Sequence, residues 1–477
     1  MIRSTRSRAA AMLAAGVLLV AACGGSDDSS TTAAPGETEA PSDTDAPDET
    51  EAPDETEAPG DTEAPGDTEA PSSEAWTVNV DDCADPDAAT APIEGTIKIG
   101  AVVPLTGGPA AAFAPVAEGL QLFIDHANAE ELAPGYTLEL SIEDDQYNKD
   151  LTPGAVEKLL QEDEVSFISG VVGSPNNAAV RDLLNEECVP QLAAFTGSPL
   201  WGDVENYPWT TGQLVPYTTE ARIYARQIQE QFPDGAKVAL FYVNNEFGNI
   251  YYDAFSDVAD EYGIEIIDEQ SIEAIDANPP TAQIASIASG APDAIMAIPL
   301  GAGCGTFLNE LANQKAQNSG WEPAVFLTNT CASRLFLQIL AGDSGIGTYT
   351  SANAKDPSDP ANADDPAMKA YLDAYAAAGL KNDPATTSTG WTAGEVIVAI
   401  VNKAIESGTL SRQSVIEAAR SLKFTPSLDR EGVAYEMNGA DDAYAFESLQ
   451  VLQWNGTTFD EIGDLVSEFE GTTEYEE

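Results

Sequence analysis

Two hydrophobic periods alternate along the chain from about residue 97. Ile97 to Val103 is a short apolar run ended by Pro104, as in a strand buried on both faces. After a Thr-Gly-Gly-Pro loop, Val116 to Asn128 shows helical spacing through Leu120, Phe123, Ile124 and Ala127. Thr137 to Asp144 alternates as a strand, and Pro153 to Leu160 reads as a helix. Val165 to Val172 is a strand, Asn176 to Asn185 a helix and Val189 to Ala194 a strand. Such a βαβα rhythm predicts a parallel sheet covered on both faces.

The rhythm then restarts. Helices are expected over Pro216 to Gln231, Phe247 to Tyr262, Thr281 to Ala288 and Thr306 to Gln317. Strands are expected over Lys237 to Val243, Ile264 to Ile272, Ala294 to Pro299 and Ala324 to Leu327. Beyond Gly347 come a long Asp/Pro/Ala loop and helices at Ala367 to Ala378, Thr392 to Glu406 and Ser411 to Leu422. The chain ends with a pair of strands around Phe446 to Trp454 and Thr458 to Ile462. The late helices have no sheet of their own, so they must return to an earlier unit. Ligands of open parallel sheets bind beyond the C-terminal strand ends. That rule marks the loops at Thr106, Asp145, Gly173, Ala194, Asn244, Gly301 and Thr328.

The first 75 residues carry no such pattern. Arg3, Arg6 and Arg8 precede an apolar run, Ala9 to Ala22, which reads as a secretory signal. Val20-Ala21-Ala22-Cys23 resembles the lipobox of bacterial lipoproteins, in which Cys23 is acylated and anchors the chain to the outer face of the cell membrane. The alternative is plain secretion with cleavage near Ala22. From Ala34 to Glu69 the hexamer Ala-Pro-x-[Asp/Glu]-Thr-[Asp/Glu] occurs six times. Such a segment cannot bury enough apolar surface to offset its ordering entropy. Charge and Pro extend it, and about fifty residues at ~3 Å each reach up to ~150 Å. A spacer and low-complexity drift are equally good readings of it.

Charge narrows the function. The 477 residues carry 80 acidic and 20 basic side chains, a formal net charge of −60. Phosphate binding needs clustered Lys and Arg, so nucleic acid is excluded as a partner. Like-charge repulsion favours a soluble monomer. One histidine, His126, leaves neither a His-based active site nor a multi-His metal site. There is no G-x-S-x-G elbow. Gly301-Ala302-Gly303-Cys304-Gly305 hints at a dinucleotide loop without its full spacing. Glu143-Asp144-Asp145 suits a solvated acidic turn better than a cation site. The expectation is a non-enzyme with no cofactor and no metal.

At the strand-end loops the sequence resembles a known family. Ile97-Lys98-Ile99-Gly100 leading to Pro104-Leu105-Thr106-Gly107 is similar to the opening of type I periplasmic binding proteins, in the leucine/isoleucine/valine-binding branch of ABC-transporter receptors. Glu143 to Tyr147, Gly170 to Ser174, Val189-Pro190 through Thr196, and Asn245-Glu246-Phe247-Gly248 fit the same pattern. The resemblance spans about residues 95 to 465. It implies an α/β fold of two Rossmann-like parallel-sheet lobes joined by a three-strand hinge. By analogy, 1–22 is the signal peptide, 23–75 the lipidated Cys and tether, and 76–94 an extension. Lobe 1 is then 95–213 with 349–442, and lobe 2 is 214–348 with 443–477.

The resemblance also implies a function. The chain would capture a small organic ligand (amino acid, amide or organic acid) in the inter-lobe cleft and deliver it to ABC permease subunits. A surface sensor acting on a receptor partner without transport would share the fold. The family's carboxylate grip falls on Ser174, Ala194 and Thr196, and its first-loop aromatic on Phe113. Hydroxyls and amides suit a carboxylate without a full counter-charge. Ser174 also opens a helix and suits a cap. The inter-lobe Tyr of the family is Phe247 here, and the acidic partner of an amino group falls near Thr330, which is neutral. Trp391, opening a late helix, is read either as a stacking surface for ligand or as core.

After Cys23, four cysteines remain, which in an exported chain suggests two disulfides with three pairings open. Cys304 and Cys331 both lie on strand-end loops of the second lobe. That favours their pairing and leaves Cys83 with Cys188.

Overall fold

The computed structural model describes residues 76–273, 278–473 and 475. The expected signal segment, Cys23 and the acidic tether lie outside the described residues. The helix α1 (Pro86–Thr90) is capped by Asp85, whose carboxylate accepts the N–H groups of Asp87 and Ala88. The first sheet then builds through β1 (Thr96–Val102), α2 (Ala110–Ala129), β2 (Thr137–Glu143), α3 (Thr152–Gln161), β3 (Phe167–Ser169), α4 (Ser174–Glu186), β4 (Gln191–Ala194) and β5 (Thr210–Gly212). Its strand order is β2-β1-β3-β4-β5, all parallel. β5 has no counterpart in the periodicity, because Thr-Thr-Gly is too short and too polar to register as a strand.

The second sheet forms from α5 (Tyr217–Gln231), β6 (Ala236–Val243), α6 (Glu246–Ala259), β7 (Ile264–Ile272), α7 (Thr281–Gly290), β8 (Ala294–Ile298), α8 (Gly303–Gln317), β9 (Ala324–Leu327) and β10 (Tyr349–Ala352). The central strand β8, Ala-Ile-Met-Ala-Ile, is buried at every position, as a two-sided parallel strand must be. The edge strand β7 is fully buried only at Ile264 and leaves Glu265 and Glu269 exposed.

From β10 the chain returns to the first lobe as α9 (Pro366–Ala378), α10 (Pro384–Ser407), α11 (Arg412–Ala419) and the short pair β11 (Lys423–Phe424) and β12 (Tyr435–Glu436). It then crosses back as β13 (Leu449–Trp454) and β14 (Phe459–Val466). The second sheet reads β14-β13-β10-β9-β8-β6-β7, with β13 and β14 antiparallel to their neighbours. Three passages thus join the lobes. The family analogy puts residue 349 onward in the first lobe, but β10 is hydrogen-bonded to β9 and β13 and belongs to the second sheet. The four residues Tyr-Thr-Ser-Ala carry no run long enough to signal this.

Local chemistry sets the returning helices. Asp365 and Asp383 cap α9 and α10, and Ser411 forms a capping box with Ser414 at α11. α10 begins two turns earlier than Thr392, because Asp383-Pro384 is a cap followed by Pro at the first helical position. α10 packs directly on α2. A Cβ on Gly119 would stand 1.8 Å from the Thr387 carbonyl oxygen, and one on Gly390 would stand 2.0 Å from that of Val116. The backbones of the two helices therefore touch. The first core combines Leu120, Phe123 and Ile124 of α2 with Val396, Ile397 and Val401 of α10. The second lobe has its own cores on the two faces of its sheet.

Two disulfides are formed, Cys83–Cys188 and Cys304–Cys331. The first ties the extension ahead of β1 to the turn between α4 and β4. The second joins the first turn of α8 to the loop after β9. Among the described residues no helix is long and apolar enough to cross a membrane.

Candidate functional site

The C-terminal strand ends of the two sheets face one another across a cavity of about 200 Å³. The first lobe contributes Phe113 of α2, Tyr147 after β2, Gly173 and Ser174 at the start of α4, and Phe195 after β4. The second contributes Tyr217, Phe247, Leu300, Gly301, Asn329 and Thr330. The hinge side is closed by Ser351 to Asp356 and by Arg430. The lobes already meet. Gly301 lies so close to Ala112 that a Cβ there would be 3.4 Å from the alanine methyl.

The first-lobe wall is built from a buried carboxylate outward. Asp145 is fully buried and accepts from Thr152 Oγ1 at 2.7 Å, Asn176 Nδ2 at 2.7 Å and the Tyr147 N–H at 3.0 Å. Burial pushes its carboxyl above the usual range, against those hydrogen bonds. The effect is to fix Tyr147 and the first turn of α4 together. The Tyr147 ring stacks on Phe113, centroids 5.4 Å apart and 9° from parallel. It also lies flat against Gly173, where a Cβ would come within 2.6 Å of the ring. Gly173 has φ of 103°, open to glycine but strained for other residues.

Beside this aromatic pair sits a hydroxyl cluster. Ser174 Oγ and Thr196 Oγ1 are 2.6 Å apart and both are buried. Tyr217 lies beside them; burial raises the pKa of its hydroxyl, while Thr196, the Gly197 backbone and Ser174 oppose the rise. Thr196 Oγ1 also accepts the Ser198 N–H at 3.2 Å. The cluster stands at the N-terminus of α4, where backbone N–H groups and the helix dipole favour negative charge.

The sequence-derived residues fall into three groups. Phe113, Ser174, Phe247 and Thr330 share the cavity wall. Thr196 stands behind Ser174 and reaches the cavity only through it. Ala194 and Trp391 are not on the wall. Ala194 is fully buried, and its carbonyl is used by the N–H groups of Gln213 and Thr196. Trp391 lies inside the first-lobe core, two turns into α10, against Phe123, His126 and Tyr371 at 5.0, 5.2 and 5.4 Å. Its helix begins earlier than the pattern suggested, and Trp391 sits on the side of α10 that packs on α2. Tyr217, Asn329, Phe336, Asp356 and Phe459 also line the cavity. The Pro216-Tyr217 helix start and the strand holding Phe459 were visible in sequence; Asn329, Phe336 and Asp356 come from segments without a clear period.

A family model described as periplasmic binding protein matches residues 96–458. The chain belongs to this family. Its architecture is the type I periplasmic binding protein fold, like that of the leucine/isoleucine/valine-binding branch. A branched-chain amino acid ABC transporter protein from Thermus thermophilus, solved with valine, is similar at 18% identity and a TM-score of 0.70, covering 79% of this chain and 97% of that one. A solute-binding protein from R. palustris in complex with benzoate is similar at 18% identity and a TM-score of 0.66, over 79% and 99%. A fatty acid ABC transporter substrate-binding protein from Thermomonospora curvata gives 18% and 0.66, over 81% and 97%. A comparison with curated protein sequences finds no match. In this periplasmic binding protein the cavity occupies the inter-lobe cleft, and Cys304–Cys331 clamps two loops of its second-lobe wall, Leu300–Gly301 and Asn329–Ser333.

Proposed function

We propose that this binding protein captures a small, largely apolar organic acid between its lobes and hands it to an ABC importer. The observation that carries this reading is the wall itself: a hydroxyl cluster at the N-terminus of α4 beside a sleeve of aromatic rings. Ser174, backed by Thr196 and Tyr217, would receive the carboxylate. Phe113, Tyr147, Phe247 and Phe336 would enclose the apolar body. The resemblance puts the acidic partner of an amino-acid binder near Thr330, which is neutral, and this disfavours a standard α-amino acid.

On this reading the protein is not an enzyme. It works outside the cytoplasm as a monomer, held to the membrane by acylated Cys23 and served by permease subunits. Relatives that bind valine, benzoate and fatty acids support solute capture while leaving the ligand to be measured. Thermal unfolding of the purified protein against benzoate, 4-hydroxybenzoate, octanoate and valine tests the reading. An acid present at 100 times its Kd should add about 2.7 kcal/mol to stability. A shift with valine and none with the acids would overturn the organic-acid assignment. No shift with any of the four, in a folded protein, would remove the support for capture of such ligands.

A further inference from the structure

Glu220 lies on the first turn of α5, just after the chain has passed from the first sheet to the second. It is fully buried, and neutral donors surround it. Oε1 accepts from the Tyr224 hydroxyl at 2.6 Å, Ser351 Oγ at 2.8 Å and the Asn329 N–H at 2.7 Å. Oε2 accepts from the Tyr251 hydroxyl. Burial raises its pKa, and these four bonds oppose the rise. One carboxylate therefore ties together α5, α6, the hinge strand β10 and the loop after β9.

Two of its donors belong to the cavity wall, Asn329 and Ser351. Asn329 is half-buried, and its carboxamide makes no hydrogen bond among the described residues. The loop around it is pinned on both sides. Thr328 and Thr330 share a hydrogen bond of 2.7 Å, and Cys331 is in the disulfide to Cys304. Asn329 thus presents a polar group with one donor side and one acceptor side, on backbone that cannot move away. Holding a polar group in its binding orientation lowers the ordering cost of capture.

We infer that Glu220 is a positioning residue for solute capture, which fixes the second-lobe wall so that the Asn329 carboxamide meets an uncharged polar group of the bound acid. This rests on the organic-acid reading above. Glutamine at position 220 would turn an amide N–H toward groups that are themselves donors, and the wall would lose its register.

The test is a double-mutant cycle read as Kd by calorimetry, using whichever acid of the panel above binds most tightly. Glu220→Gln and Asn329→Ala should each weaken binding about tenfold. The double variant should be weakened by no more than about twice the larger single effect, because both changes disable the same contact. Tyr251→Phe, which removes one donor and keeps the carboxylate, should show the same coupling with less effect on folding. It stands in if Glu220→Gln does not fold. A lower melting temperature with unchanged Kd would overturn the inference, as would single effects that simply multiply. If the unmodified protein binds no acid of the panel, the functional reading falls and takes this inference with it. If it binds one and the cycle shows no coupling, the inference alone falls.

Discussion

Lys149, on the loop after β2 in the first lobe, forms an ion pair with Glu246 at the start of α6 in the second. The pair spans the cleft, so it exists only while the lobes are together. Both side chains are about half exposed, and a pair of that kind contributes roughly 0.2–1 kcal/mol. Lys149→Glu should weaken capture by up to about fivefold, mainly through faster release. Combining it with Glu246→Lys should restore affinity. Stopped-flow dissociation at low and high salt checks both, since the difference should shrink as salt screens the pair.

Ser174 and Thr196 offer a second test. Ser174→Ala removes the hydroxyl that faces the cavity and should weaken a carboxylate ligand by about 1.5–3 kcal/mol. Thr196→Val should act in the same direction and less strongly, because Thr196 reaches the cavity through Ser174. Calorimetric titration of both variants decides it. Equal affinity in Ser174→Ala would move the carboxylate elsewhere in the cleft.

Gly390→Ala puts a methyl group 2.0 Å from the Val116 carbonyl oxygen and must push α10 off α2. Trp391→Ala instead leaves a hole among Phe123, His126 and Tyr371. The second change should cost about 3–5 kcal/mol, and the first at least as much as a typical overpacked core, about 1–3 kcal/mol. Denaturant unfolding measures both. Where the variant chains remain folded, ligand affinity should be nearly unchanged, because neither residue lines the cavity.

The two disulfides should separate by function. Replacing Cys304 and Cys331 by Ala should lower stability by about 3 kcal/mol and also weaken ligand binding, since the bridge joins two wall loops. Replacing Cys83 and Cys188 should lower stability and leave affinity alone. Parallel melting and titration experiments on the two double variants distinguish these outcomes.

Asp429 gives a pH signature. It is buried, and neither oxygen has a hydrogen-bond partner among the described residues. Burial, and next the neighbouring Glu395, push its carboxyl from 3.8 up to about 7; Lys355 and Arg430 oppose this. The folded chain therefore keeps a proton that the unfolded chain releases near about pH 4. Its contribution favours folding in acid and declines as pH rises from about 4 to about 7. Asp429→Asn should flatten that decline and raise stability at pH 8 by up to about 4 kcal/mol. Denaturant midpoints across this range are the measurement.

The two-sheet architecture was legible because long strands and amphipathic helices repeat their periods: β1, β6, β7 and β8 stand where the pattern puts them, and α2 does so apart from its first six residues. β5 and β10 were not legible, because three or four residues of Thr, Ser, Gly and Tyr carry no period. Those short strands are the ones that pass between the lobes or adjoin the passages, so the lobe boundary at residue 349 was misplaced. At the site, Ser174 was legible from its place after a glycine at a strand end. For Trp391 the sequence leaves ligand stacking and core equally open; the core reading holds because Asp383-Pro384 starts α10 two turns before it and the helix packs on α2 there. Glu220 gave no signal at all, since a lone acidic residue in a first helical turn usually faces solvent. Only its tertiary neighbours make it central to the second lobe.

The bridge between Cys83 and Cys188 has a mechanical consequence. It grips the chain seven residues after Trp76, at the end of the first sheet opposite the cleft. A pull arriving from the N-terminal side is shared there between the backbone toward β1 and the disulfide to the turn before β4, both within the first lobe. The second lobe hangs from the first by three passages that this load does not cross. A load applied at this end of the first sheet can then swing the two lobes as one without prying them apart.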